Sequence, residues 1–438
     1  MTVPEDARER AAGGRLGQFK STHSRGDEAA RLQAALSSQQ SGSRAERLEH
    51  MRRVAMEALI GSKENDLEEV VEVPDDEDDG DMDIDGGYQK GKKMNRLRRL
   101  HRTLFFARQL QVPDWMLAPP SDLADSWLVL AKPEGDRCLL LSDGGRVEVR
   151  KKNGYVLERY SDSRLPRGLT ILDVVAIEAP GQIVEEAVCE VELEQEPDQE
   201  MDGKGKGKGR RRRPVGNRKY AVCDVLVWGD VDLAGTEAEC RLFWLESRFE
   251  EMREKAPRRA RALQLVRALP ATGESLKELY FGDLGYAKDS FLFLHREGRY
   301  QVSEPVTPVA RLWRDRQVSR YVIDTPDEKG EELPSNQSVV LELRGGGRLR
   351  TADRHLVAQC NEEDLLKLHS GLKPKSLIRC DVQAIDLANG KLQVRPVAHV
   401  SARSRVWADS WARIAFQHLQ RAGAPSVTFE TLMQAAKV

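Results

Sequence analysis

Two kinds of residue in this chain have types and spacings that could do chemistry. The first is the run Lys132-Pro133-Glu134-Gly135-Asp136-Arg137. A lysine at the end of an apolar strand can attack a phosphorus centre, and an arginine soon after it can hold the nucleotide. The same residues also suit a plain tight turn, where Pro, Gly and Asp are all expected. The second kind is tryptophan, and five of the seven lie between Trp115 and Trp313. Trp127, Trp228 and Trp244 read as core. Trp115 lies between Pro113-Asp114 and Ala118-Pro119-Pro120, where a helix hands over to a loop. Trp313 is flanked by Arg311, Arg314, Asp315 and Arg316, a setting that suits a rim. An indole plane stacks on a base, and an N7-methylated guanine, being cationic, adds about 0.5–2 kcal/mol of cation–π attraction. Basic residues beside such a ring would take the phosphates.

Other chemistries find no pattern. There is no Walker-type loop and no G-x-S-x-G, and His101, His295 and His355 have no nucleophile or metal spacing. The six cysteines form no CxxC pair, so neither metal nor cofactor is expected, and the thiols read as reduced and buried. With 69 basic and 71 acidic residues the net charge is −2, which gives no overall pull on nucleic acid. No apolar run approaches the roughly 20 residues of a membrane span. Met1 to Ala12 is charged and lacks an apolar stretch, so secretion is not expected either.

The elements that must position these residues follow from periodicity. Residues 1–66 read as an arm with a basic amphipathic helix between Ser43 and Ile60, suited to folding on a partner. Residues 67–93 form an acidic linker, Asp75 to Asp85 repelling one another into extension. The central domain spans 94–326 and opens with a helix over Met94–Leu110. Short apolar runs then alternate with turn signals: Trp127–Ala131, Cys138–Ser142, Val147–Arg150, Tyr155–Tyr160 and Leu169–Val175, which read as an antiparallel meander. A low-complexity insertion over 178–217 carries an acidic run, then Gly203 to Gly209 alternating with lysines, then Arg210 to Arg213. Order resumes with a strand over Tyr220–Trp228 and a helix over Ala238–Arg253. Strands are expected at Leu263–Leu269, Ser290–Leu294, Tyr300–Val302 and Val318–Ile323. Residues 327–438 form an extension with strands at Val339–Leu343, Ser376–Ile385 and Leu392–Val397 and a helix over Glu362–Leu368. Helices over Trp407–Arg421 and Phe429–Ala436 close it. The fold class is α+β, mainly antiparallel sheets with flanking helices, a helical N-terminal arm and a small OB-like C-terminal extension.

The Lys132–Arg137 run resembles the K-x-D-G-x-R motif of covalent nucleotidyltransferases, with Glu134 in place of Asp. A longer series of short matches, over roughly residues 15 to 324, resembles the snurportin family. It includes Gln109-Leu110 through Trp115, Pro120-Ser121-Asp122-Leu123, Trp127, Lys152-Asn153-Gly154-Tyr155, Thr170-Ile171-Leu172-Asp173, Tyr220–Asp224, Arg241–Ser247 and Thr307-Pro308. Met82-Asp83-Ile84-Asp85 in the linker fits as well. The resemblance implies a fold similar to the nucleotide-binding domain of messenger-RNA guanylyltransferases, without catalysis and without a cofactor. It implies binding of the 2,2,7-trimethylguanosine cap of spliceosomal small nuclear RNAs. It further implies import of the ribonucleoprotein through importin-beta, return by an exportin, and shuttling between nucleus and cytoplasm.

Carried over residue by residue, the cap contacts are Trp115, Gly135, Asp136, Arg137, Lys152, Leu245 and Trp313. Asp136 stands where a lysine is usual. Trp313 lies one residue further from Thr307-Pro308 than the family pattern has it, with Leu312 in the strict position, and this reads as a local shift. The importin-binding arm would use Arg15, Leu16, Phe19 and Lys20 at one end and Arg52 and Arg53 at the other. A four-arginine cluster between them is reduced to Arg31. The competing class is a lysyl nucleotidyltransferase working through Lys132, with Arg137 and Lys152 on the phosphates. Against it, Asp289-Ser290 stands where an acid and glycine are expected, and Arg311-Leu312-Trp313-Arg314 replaces a lysine-rich motif.

Overall fold

A computed structural model describes residues 25–39, 49–50, 53–54, 100–101, 103–177, 218–254, 263–323, 336–368, 372–401 and 405–437. The 67–93 linker, the 178–217 insertion, and Arg15, Leu16, Phe19, Lys20 and Arg52 lie outside the described residues. In chain order the elements begin with helix α1 (Arg25–Gln39), strand β1 (Pro113–Trp115) and short helix α2 (Leu123–Ser126). Strands β2 (Trp127–Pro133), β3 (Asp136–Asp143), β4 (Arg146–Lys151), β5 (Val156–Ser161), β6 (Thr170–Ile177), β7 (Lys219–Trp228) and β8 (Val231–Asp232) follow. Helix α3 (Ala238–Glu254), β9 (Leu263–Leu265), β10 (Leu269–Pro270), helix α4 (Gly273–Phe281), β11 (Lys288–His295) and β12 (Thr307–Trp313) complete the central part. The extension holds β13 (Ser338–Leu343), β14 (Arg348–Arg350), β15 (Leu356–Gln359), helix α5 (Glu362–Leu368), β16 (Leu377–Asp386), β17 (Lys391–Val400), α6 (Trp411–Arg421) and α7 (Phe429–Ala435).

The expected meander is in fact divided between two sheets. Strand β2 joins the first sheet, of order β1-β12-β11-β2-β10, whereas β3 to β8 build the second, of order β5-β4-β3-β6-β7-β8 with β9 beside β7. The chain crosses between them in the Pro133-Glu134-Gly135 turn. Gly135 has φ +147°, and a Cβ there would stand 2.2 Å from the Ala176 carbonyl oxygen, so the close crossing needs glycine. Strands β6 and β7 are buried on both faces, which is why Tyr220–Trp228 reads as a near-continuous apolar run. One face packs on Leu245 and Phe249 of α3, and the other faces the first sheet through Val175, Ala221 and Cys223.

Two expected strands are not formed. Tyr300–Val302 is irregular and Val318–Ile323 is turn and bend. Helix α4, which periodicity did not suggest, starts at an N-cap where Thr272 accepts from the Ser275 amide. The helix expected over Met94–Leu110 is helical at 103–106 and passes into a turn at Ala107.

The extension is not a separate globule. Its sheet has order β15-β14-β13-β16-β17, and α5 links β15 to β16 in an OB-type arrangement. Val339, Leu341 and Ile378 from that sheet share one core with Trp127, Val129, Phe291, Phe293, Val309 and Trp313 of the first sheet. Trp411, Ile414 and Phe416 of α6 and Leu432 of α7 lie in the same core.

Helix α1 also docks on the first sheet. Glu28 Oε2 lies 2.9 Å from Arg311 Nη1, and Arg31 Nη2 lies 3.2 Å from Asp114 Oδ2. Leu32 is buried between these pairs and the core, and Gln39 Oε1 accepts from the Arg299 amide. Burial pushes the Asp114 carboxyl up to about 6, against the pull of Arg31 and Arg311. Arg53 lies in a helical stretch and is exposed.

Candidate functional site

The two large sheets face each other across a thin apolar layer, with Leu128, Leu130, Leu292, Leu294 and Ala310 on one side and Val175, Ala221 and Cys223 on the other. Side chains alternate along a strand, so Lys132 continues the Leu128–Leu130 face and Leu312 and Arg314 continue that of Ala310. At this end of the layer apolar contact gives way to charge. Lys132 Nζ lies 2.8 Å from Asp289 Oδ2, and Arg314 Nη2 lies 2.8 Å from Asp289 Oδ1. The β11 register slips between Lys288 and Ser290, a bulge that frees Asp289 from the ladder and turns it between the two cations. Burial works to raise the Asp289 carboxyl, but Lys132 and Arg314 outweigh it and hold it below the usual carboxylate range. The three groups carry one formal positive charge between them, in a place that favours an anion.

The facing wall is a second network. Arg137 grips Asp173 with two hydrogen bonds, Nε at 3.0 Å and Nη2 at 2.5 Å, and its Nη1 donates to the Gln111 carbonyl at 2.6 Å. Tyr300 donates to Asp173 at 2.8 Å and accepts from the Gln111 amide at 3.0 Å. The Cys223 thiol is pushed up to about 12 by burial and by Asp173, while Lys132 and Arg137 pull it down, so both cations act on one buried group. Tyr286 donates to the Ala131 carbonyl at 2.9 Å. Beside Arg137, the β2–β3 and β4–β5 turns meet: the Lys152 amide donates to the Arg137 carbonyl at 3.1 Å, and Lys151 pairs with Asp136 at 3.2 Å. Gly135, Asp136, Arg137 and Lys152 thus share one rim. Arg137 is committed to Asp173 there, while the Asp136 side chain is 61% exposed.

Residues 109–179 and 214–312 match the family model of the snurportin-1 m3G cap-binding domain. Over these residues the chain is similar to that domain. The break in the match falls inside the low-complexity insertion read from the sequence. Among solved structures, the ligase domain of LigD from M. tuberculosis is 14% identical, covering 68% of this chain and 98% of that one with a TM-score of 0.30. A mycobacterial DNA ligase D complexed with ATP is also 14% identical over 69% of this chain and 99% of that one, again at 0.30. A Lig E DNA ligase is 11% identical over 67% and 99%, with a TM-score of 0.27. At such TM-scores nothing about chemistry follows.

The snurportin-type match ends at Leu312, one residue before the tryptophan that was read as the stacking platform. That reading is corrected by the register. Strands β11 and β12 pair without interruption, Phe291 with Trp313, Leu292 with Leu312 and Phe293 with Arg311. The irregularity that β12 does show lies earlier, against β1 between Thr307 and Arg311, and leaves the Ala310–Trp313 register regular. A one-residue offset in a strand turns a side chain to the other face. Leu312 therefore takes the cleft side, and Trp313 is 0% exposed in the core, its Nε1 donating to the Val427 carbonyl at 3.0 Å. It packs against Phe291 at 5.6 Å and Tyr280 at 6.4 Å between ring centres. Leu245 is corrected too: it is 0% exposed beneath α3, on the outer face of the second sheet. Trp127 and Trp228 are core as expected, and Trp244 is half-buried with the Arg248 guanidinium over its ring.

Trp115 lies on the edge strand of the first sheet, packed against the core that holds Trp313 and Phe416, with the Arg314 guanidinium over its ring. It sits opposite Leu312 across the β1–β12 pair and is half-buried. Phe416 lies 4.9 Å from it, and the Arg314 guanidinium lies 5.3 Å from its ring centre. Asp289 stands out in the sequence as a departure from an enzymatic motif, and Arg314 as that and as a charged neighbour of Trp313. Their pairing with Lys132 depends on three strands far apart in the chain, and the one available signal was a charged residue at the end of each.

Proposed function

We propose that this chain binds the 2,2,7-trimethylguanosine cap of small nuclear RNA in the cleft between its two large sheets, without catalysing a reaction. In this reading it is an import adaptor that links the capped ribonucleoprotein to importin-beta, returns with an exportin and shuttles between cytoplasm and nucleus. The observation that carries the reading is the match of residues 109–179 and 214–312 to the m3G cap-binding domain. The chemistry of the cleft agrees with it. Trp115 offers an indole face to a cationic base, and the net positive Lys132–Asp289–Arg314 group, with Lys152 at the rim, suits the bridging phosphates. Selectivity for the N2 methyls follows if the ring meets apolar surface: the methyls remove donors and add area, which a site built to hydrogen-bond N2 would reject.

The test is a tryptophan-fluorescence titration of the full chain with trimethylated cap analogue, monomethylated cap analogue and GTP. The trimethylated analogue is expected to bind most tightly, and Trp115→Ala to lower its affinity by about 10- to 100-fold. Equal affinity for the trimethylated analogue and GTP would overturn the reading. Binding to importin-beta by the full chain tests the adaptor half separately.

One observation favours a second reading. Lys132 Nζ lies 2.8 Å from the Asp289 carboxylate, and Lys132 opens the run that resembles the K-x-D-G-x-R motif. Incubation with labelled GTP and a divalent metal is expected to leave the protein unlabelled. A lysine-linked adduct that disappears in Lys132→Ala would establish transfer instead.

A further inference from the structure

The Trp115 indole already holds a cation. The Arg314 guanidinium lies 5.3 Å from its ring centre, tied by 2.8 and 3.0 Å contacts to the two Asp289 oxygens and by 2.8 Å to the Tyr321 carbonyl. Phe416 lies 4.9 Å from the same indole, so that neighbour narrows the room left for a planar ligand. A methylated guanine and a guanidinium are both flat cations, and the quadrupole of one ring face attracts either. They cannot share the face, because like charges in a half-buried site repel with little water to screen them.

Resting on the cap-binding reading, we infer that Arg314 is a placeholder for the methylated base: on binding, the cationic base replaces the guanidinium over Trp115, and Arg314 transfers to the bridging phosphates. The exchange conserves charge at the ring. Asp289 keeps Lys132 as its counter-charge and gains the cationic base as a neighbour. The displaced guanidinium finds the cap's own anionic bridge, to which it can bind through two parallel N–H donors. A neutral guanine cannot drive this exchange, because it would remove a cation from the indole and bring none. Arg314 thereby sets the preference for N7-methylation, a role quite apart from that of the indole.

The experiment is calorimetric titration of the full chain and of Arg314→Gln with three probes: N7-methylguanosine nucleoside, guanosine, and a triphosphate-bridged trimethylated cap analogue. In Arg314→Gln the N7-methylguanosine affinity is expected to rise by roughly three- to tenfold, as the ring is uncovered and the remaining Lys132–Asp289 pair is neutral. The triphosphate analogue is expected to gain less than the nucleoside or to weaken, since the phosphate partner is gone. Guanosine affinity is expected to rise by more than that of N7-methylguanosine, because the cation it could not replace is gone, so the preference for the methylated nucleoside narrows. Unchanged or weaker binding of the nucleoside in the variant overturns the inference. If Arg314→Gln does not fold by thermal melting, Arg314→Lys, which keeps the Asp289 pair but cannot lie flat on an indole, decides by the same comparison. Failure of the unsubstituted chain to bind any methylated probe would sink the cap-binding reading itself, which is a separate result.

Discussion

Trp313→Ala is expected to cost about 3–5 kcal/mol of stability while changing the cap affinity of the folded protein by less than about twofold. The side chain is fully buried, fills space between Phe291 and Tyr280, and gives its indole N–H to the Val427 carbonyl. Its removal leaves a large cavity and an unpaired carbonyl, two independent penalties. Denaturant unfolding followed by cap titration separates the two effects. A loss of more than tenfold in cap affinity with unchanged unfolding midpoint would show that the tryptophan faces the ligand after all. Trp115→Ala should instead weaken cap binding by about 10- to 100-fold, because its half-buried ring lies under the Arg314 guanidinium.

The second large effect concerns the C-terminal extension. A chain cut after residue 326 is expected to lose cooperative unfolding and to expose apolar surface that binds a hydrophobic dye. The first sheet presents Trp127, Val129, Phe291, Phe293, Val309 and Trp313 to a core whose other side is supplied by β13, β16, α6 and α7. Removing that side uncovers six large side chains at once, each worth about 1.5–3 kcal/mol when fully buried. That sum, about 9–18 kcal/mol, is as large as the 5–15 kcal/mol of a typical domain. Near-ultraviolet circular dichroism and a urea titration would check it. A sharp transition at the full-length midpoint would mean that the central domain stands without the extension.

These two expectations also mark what the sequence could tell. Helix α5 and the starts and ends of β13, β16, β17 and α7 were legible to within a few residues, because periodicity and turn signals are local. The turns at Gly135 and at Asn153-Gly154 were legible for the same reason: a Cβ at Gly154 would stand 2.0 Å from the Thr103 carbonyl oxygen. Two other outcomes were decided by partners far along the chain. Tyr300 lies in a short alternating stretch that reads as strand, yet its hydroxyl is drawn to Asp173 and the segment stays irregular. Which sheet β2 joins depends on β10 and β11, which follow more than a hundred residues later. The position of Trp313 is the sharpest case. Its type fits a stacking role and its flanking charges suggest a rim, but a period of two gives no tolerance for an offset of one. Arg311 and Arg314, which made the site look exposed, are instead occupied with Glu28 and with Asp289.

The docked helix α1 has a kinetic and thermodynamic meaning for any protein that would grip it. Arg31 is not waiting in solvent; it is paired with Asp114, and its neighbour Glu28 with Arg311. Because the helix is tethered to the surface it occupies, that surface competes at a high effective concentration that dilution cannot lower. A partner for the helix therefore binds with its intrinsic affinity scaled down by the fraction of molecules in which α1 is undocked. Beyond the strength of its own contacts, the partner's hold is set by four charges on the first sheet and α1, in pairs buried enough that salt screens them only weakly.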